Sequence, residues 1–214
     1  MAIETVRASG AKFLGGRLVL DFANTISARG GATERDHVVD YADLVAWALR
    51  AGLVDEKVGQ SLMEKAARRG ADTERTVARA RELRDAAHRV FVDVAHGRTA
   101  SPTDLAVVYA ALARAVEHGS IVQTGDGFVW RWQDGSDALD SMLWPIARSA
   151  AELLTGTELP RVRECGGERC GWLFLDQTKN RTRRWCEMKV CGNRAKARRH
   201  YHRHRRLPSG APVQ

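Results

Sequence analysis

Four cysteines, Cys165, Cys170, Cys186 and Cys191, are the only thiols in the chain, and they form two pairs of identical internal spacing. Four residues separate the members of each pair, and fifteen separate the pairs. Two short cysteine loops can deliver four soft ligands from two chain segments, the donor set a tetrahedral Zn²⁺ requires. Four thiolates leave no open coordination position, so the expectation is one structural zinc ion and no metal catalysis. That reading needs reduced thiols. The first ten residues lack an apolar stretch, and the longest apolar run, Leu105 to Ala113, is far short of the ~20 residues of a membrane span. The chain therefore reads as cytoplasmic, without a membrane partner, where thiols persist as metal ligands rather than disulfides.

The second cysteine pair opens into a basic segment. Residues 161–206 carry fifteen Lys or Arg against four Asp or Glu, a net charge of +11, which leaves −3 for the rest of a chain whose total is +8. An acidic body with a concentrated basic module is the asymmetry expected when one part contacts a polyanion. A helix starting near Cys191 would turn Val190, Ala197 and Tyr201 inward and cover its remaining surface with Arg194, Lys196, Arg198, Arg199 and Arg203. Arg181, Arg183 and Arg184 add a second basic group. His200, His202 and His204 alternate along the same helix. Spacing of two fans them around it, so they read as surface rather than as a second metal site. Between the cysteine pairs, Trp172–Leu175 and Arg184–Cys186 read as two strands of a hairpin turning at Gln177–Thr182. A hairpin followed by a cysteine at a helix start is the outline of a treble-clef-like finger, with Trp172, Phe174 and Trp185 as its small core.

The elements that must carry this module read as mainly helical. Asp40 caps a helix through Tyr41, Leu44, Val45 and Ala48, stopped by Gly52. Asp55 opens another with Val58, Leu62 and Ala66 inward, and Asp72 opens the longest, running through Val77, Ala80, Leu83, Ala87, Val90 and Val94 to Gly97. Ser101-Pro102-Thr103-Asp104 starts a helix expected to bury Leu105, Val108, Leu112 and Val116. Ile121–Gln123 and Phe128–Trp132 flank Gly125-Asp126-Gly127 as a small β-hairpin. Asp137 then caps a last body helix through Leu139, Met142, Leu143, Ile146, Ala150 and Leu153, kinked by Pro145. Gly156 and Pro160 mark the boundary. The expected architecture is a helical domain over 1–160, a basic finger over 161–206 and a mobile tail over 207–214.

At Trp185-Cys186 and Cys191-Gly192-Asn193-Arg194-Ala195-Lys196 the sequence resembles the CGNR-type zinc finger. The segment Gly15-Gly16-Arg17-Leu18-Val19-Leu20-Asp21-Phe22-Ala23-Asn24-Thr25 resembles the opening of the ABATE domain, which accompanies that finger in bacterial proteins. The resemblance implies Cys165, Cys170, Cys186 and Cys191 as the zinc ligands. It implies a DNA-contacting basic segment matching Arg181–Arg184 and the helix from Arg194, in a stress-responsive transcription regulator. On this reading Arg181, Arg183, Arg184, Arg198, Arg199 and Arg203 would meet phosphates, while Asn193, Arg194 and Lys196 would reach base edges. Two other partners fit the same basic face: RNA, as in a ribosome-associated protein, or an acidic protein bound by an adaptor. Asp21, Asn24 and Thr25, beside the Gly15-Gly16 pair, either line a ligand pocket or cap a turn. No nucleophile, phosphate loop or paired-acid constellation is present, so an enzyme is not expected.

Overall fold

The computed structural model describes residues 12–132 and 138–205. Its spine is a long helix, α4 (Gly70–Ala95), whose Ala80, Leu83, Ala86, Ala87, Val90 and Phe91 are buried. The small residues let neighbours approach closely while Leu83, Val90 and Phe91 fill the space between. Around it stand α1 (Leu18–Ala23), α2 (Tyr41–Arg50), α3 (Glu56–Arg68), α5 (Pro102–Val116) and α6 (Leu143–Thr155). Asp40 caps α2 with a full capping box: its carboxylate accepts from the Asp43 N–H while Asp43 Oδ2 accepts from the Asp40 N–H. Asp55 caps α3 by accepting from the Val58 N–H. A two-residue ladder, β1 (Ile26–Ser27) with β2 (Arg35–Asp36), closes a loop over the end of α1.

Several elements depart from their expected form. α4 begins at Gly70 rather than Asp72, because Asp72 is bridged to both Arg69 and Arg75 within the first turn instead of standing at the cap. Val58 is exposed, and α3 buries Gly59, Leu62 and Ala66 in its place. Ser101 makes no side-chain cap bond, and Asp104 turns from the helix end to the Arg89 guanidinium of α4 at 2.6 Å. Leu105 and Val116 face outward, so α5 buries only Asp104, Val108 and Ala115. Leu139 and Met142 are buried but precede α6, which starts at Leu143; Pro145 thus lies in the first turn, where its missing N–H removes no helical bond. Asp137 and the tail 207–214 lie outside the described residues.

The hairpin forms as expected, β3 (Gly119–Thr124) against β4 (Gly127–Trp132), with Ile121 opposite Trp130. Its base is anchored by Trp132 against the core and by Trp130, which lies under the Arg148 guanidinium and over Gly119. Its tip is not: Phe128 and Ile121 are 72% and 67% exposed.

The finger's strands differ from the expected pair. β5 (Val162–Glu164) runs antiparallel to β6 (Leu173–Leu175), with Val162 opposite Leu175, and the Cys165–Cys170 loop joins them. Arg184–Cys186 is irregular chain, because its backbone is used around the metal loop: the Arg184 carbonyl accepts the Gly166 N–H, and the Cys186 N–H points at the Cys165 sulfur. Val162, Leu173 and Leu175 belong to the same buried cluster as Leu20, Leu83 and Ile146. The inner half of the finger is therefore part of the body's core.

Candidate metal centre and nucleic-acid interface

The finger is fixed to the body by backbone atoms held at both ends. Asn24, 1% exposed, donates Nδ2–H to the Leu173 carbonyl and accepts the Leu173 N–H, both at 2.8 Å. The Leu175 N–H donates to the Gly15 carbonyl at 2.8 Å, and Trp172 Nε1–H to the Ile26 carbonyl at 2.9 Å. Gly15 must be glycine, since a Cβ there would lie 2.8 Å from the Asp21 nitrogen and from Leu20 Cβ. Asp21 accepts the Gly15 N–H at 2.7 Å, and Thr25 donates to the Phe22 carbonyl at 2.8 Å. Thus Asp21, Asn24 and Thr25, candidates for a ligand pocket, spend these polar atoms on backbone; Asn24 and Thr25 do not join Asp21 at the shallow cleft it shares with Arg17 and Arg148. Burial pushes the Asp21 carboxyl up to about 6, against the lowering effect of the Gly15 and Leu14 N–H groups.

His88 of α4 is a joint residue that sequence reasoning left without a role. Its Nε2–H donates to the Gly171 carbonyl at 2.8 Å, next to Cys170 in the finger. Burial, with Arg29 nearby, pushes its pKa down to about 4. The unfolded chain takes up this proton near pH 6.5, a proton the folded chain refuses until about 4. The contribution is thus complete above pH 6.5 and lost as pH falls toward 4, roughly 3 kcal/mol in all. Asp21 works in the opposite sense, because its folded carboxyl binds a proton before the unfolded one does. We expect His88→Gln, which keeps a donor for Gly171, to lose less melting temperature than wild type between pH 7 and 5. Parallel thermal melts check this, and superimposable pH profiles would contradict it.

The four sulfurs converge beyond this joint. All lie within 4.8 Å of one another, with Cys170 to Cys186 at 3.5 Å and Cys186 to Cys191 at 3.6 Å. A tetrahedral ion with bonds of ~2.3 Å requires sulfur–sulfur edges of about 3.8 Å, so the cage fits zinc. None of the four is in a disulfide. The four thiols interact electrostatically with one another. Hydrogen bonds from Cys170 and Cys186 hold Cys165 far below the usual thiol range. Bonding to Cys165 pushes Cys170 up to about 12 and Cys186 higher still, and burial pushes Cys191 up. Sulfurs this crowded resist becoming four thiolates until a dication offsets their repulsion. A Cβ at Gly167 would sit 3.3 Å from the Cys170 Cβ and would ask the first cysteine loop to give by a few tenths of an ångström. The centre binds one structural zinc ion, which would tie the β5–β6 loop to the turn Met188–Gly192 and the helix α7 (Asn193–Arg205) after it.

The basic residues around this cage separate into two sets. Arg183 points inward: Nε donates to the Trp185 carbonyl at 3.0 Å, Nη2 to Cys186 at 2.5 Å, and the guanidinium lies 4.3 Å over the Phe174 ring. It holds the metal loop, so the guanidinium expected to meet a phosphate is engaged with backbone carbonyls in this structure. Arg198 is paired with Glu168 of the first cysteine loop. Ala195 and Arg198 form the inner side of α7, so Ala197 and Tyr201, expected to face inward, stand exposed. Arg181, Arg184, Arg194, Lys196, Arg199 and Arg203 are exposed. Asn193 is exposed too, though its Nδ2–H donates to the Lys189 carbonyl at 3.1 Å. Asn193, Lys196, His200 and Arg203 follow steps of three and four along one outer stripe. Arg169, Arg184, Arg194, Arg198 and Arg199 border a groove of about 890 Å³ between the finger and the loop after β1, with Lys12 and Thr33 on its far side.

Residues 16–157 match the family ABATE, described as "Putative stress-induced transcription regulator", and residues 161–204 match the CGNR zinc finger. Among curated proteins no match to the chain was found. The two matched segments meet where Gly156 ends α6 and the Leu159–Arg161 turn leads into β5.

Proposed function

We propose that this chain, which belongs to the ABATE family and carries a CGNR zinc finger, is a cytoplasmic DNA-binding transcription regulator. The finger grips duplex DNA, and the helical body senses a signal or mediates assembly; no catalysis is assigned to it. One observation carries this reading: Arg181, Arg184, Arg194, Lys196, Arg199, Arg203 and Asn193 are exposed on the segments that flank the clustered sulfurs, and Arg184, Arg194 and Arg199 border the groove beside them. Arg181, Arg184, Arg199 and Arg203, all exposed, would meet phosphates and fix the register. Asn193, Arg194 and Lys196, at the start of α7, are the candidates for base edges. Zinc supplies rigidity alone, so the positions of these side chains relative to one another are set before DNA arrives.

The test is the salt dependence of binding by a labelled random-sequence duplex, with a structured RNA of equal length beside it. If about five phosphates are neutralised, the affinity should fall roughly 500-fold between 50 and 200 mM salt. Lys196→Glu with Arg203→Glu should weaken duplex binding by about 100-fold or more while leaving zinc content unchanged. Preference for the RNA would transfer the same face to an RNA partner. Binding to neither polymer would favour an acidic protein.

A further inference from the structure

The outer face of α5 is apolar over most of its length, from Leu105 to Val116. Leu105, Tyr109 and Val116 form one exposed row, and Ala106, Ala110 and Ala113 form the row beside it. The exposed charges here are Arg114, at the margin, and Glu117, the C-cap residue at the end of the alanine row. Soluble helices carry polar residues on the side away from the core, and one that is apolar all round is buried on all sides. Here Tyr109 is 70% exposed, and among the described residues nothing covers it. The hairpin that follows α5 adds Ile121 and Phe128, exposed on one of its faces, while Val129 is exposed on the other. Neither surface belongs to the metal centre, and the binding of nucleic acid uses none of it.

We propose that this face joins two copies of the chain, α5 packing on its counterpart across a two-fold axis with the hairpins flanking the contact. Two features select a second copy over a foreign partner. First, the helix is complementary to itself: the Leu105–Tyr109–Val116 ridge of one copy fits over the alanine row of the other, and an isologous contact requires that one patch supply both halves. Second, the area suits a dimer. Leu105, Tyr109 and Val116 of α5 with Ile121 and Phe128 of the hairpin present on the order of 500 Å² of apolar surface, about the apolar share of the ~800 Å² each partner buries in a standard interface. The alanines let the helix axes approach closely, and the side chains at the contact set that distance. The hairpin's fixed base, with Trp130 and Trp132 packed on α6 and the core, holds Phe128 at the margin of the contact in one orientation.

Sedimentation equilibrium of the full zinc-loaded chain tests the proposal. Wild type should be dimeric at micromolar concentration. Tyr109→Glu with Ala110→Glu, both at exposed positions, should raise the dimer dissociation constant at least a hundredfold with unchanged zinc content and circular dichroism. Phe128→Ser alone should weaken it by roughly tenfold. A wild-type chain that stays monomeric at 100 µM overturns the proposal, whether the patch is then covered by another part of this chain or by another protein. So does a dimer indifferent to the double substitution. Duplex affinity of each finger is read separately, so failure of this interface leaves the DNA reading intact.

Discussion

Cys186→Ser should abolish stoichiometric zinc and lower the melting temperature of the whole chain by about 10 °C or more, not only that of the finger. Cys186 is the most central sulfur: it lies 3.5 Å from Cys170 and 3.6 Å from Cys191, and its N–H reaches the Cys165 sulfur at 3.3 Å. Structural zinc contributes on the order of 10 kcal/mol to a module this small, comparable to the total stability of a domain. From sequence, a finger over 161–206 would unfold alone and leave the body intact. The structure changes that expectation, because Val162, Leu173 and Leu175 are buried in the body's own cluster. Losing even 3–5 kcal/mol of their order costs a chain of this length roughly ten degrees. Circular dichroism should also lose the thirteen residues of α7. An unchanged melting curve after metal loss would mean that body and finger fold independently.

The next largest effect is expected at Asn24. Its amide pairs with both backbone groups of Leu173, a residue with no solvent exposure, so Asn24→Ala leaves a buried N–H and a buried C=O without partners. Orphaned buried groups cost about 1–3 kcal/mol each, giving roughly 3 kcal/mol in all and a fall of 6–12 °C in melting temperature. Asn24→Asp keeps the acceptor for the Leu173 N–H but loses the donor and buries a charge, so it should not rescue. Thr25→Val removes a local bond to Phe22 that lies three residues back and should cost far less. If Asn24→Ala melts like wild type, the joint does not depend on this residue and its place as a ligand contact reopens.

The four cysteines were legible because metal ligands obey local spacing rules that survive without knowledge of the fold. The helix caps at Asp40 and Asp55 were legible for the same reason. What sequence could not supply was direction. Val162-Arg163-Glu164 shows no alternating pattern, and it is a strand only because the Cys165–Cys170 loop folds it back onto Leu173–Leu175. Arg183 looks like its neighbours in a basic run, yet the metal loop leaves the Trp185 and Cys186 carbonyls in need of donors, and Arg183 is the side chain within reach. In α5 the periodicity failed for a different reason: with leucine, valine, tyrosine and alanine on every side, no apolar stripe marks the core. That ambiguity is the same property that leaves its outer face open to a second copy. Asp21 and Asn24 admitted two readings in sequence; the Gly15 N–H favours the structural one for Asp21, and for Asn24 it is the position of Leu173, 149 residues away, that does.

In the proposed function, a zinc-held cage presents the basic surface of α7 to DNA. The most direct measurement is the affinity of one labelled duplex for the full chain before chelation, after it, and after readdition of one equivalent of zinc. Binding should be lost with the metal and restored by that single equivalent. A metal-free chain that holds the duplex as tightly as the loaded one would contradict the account.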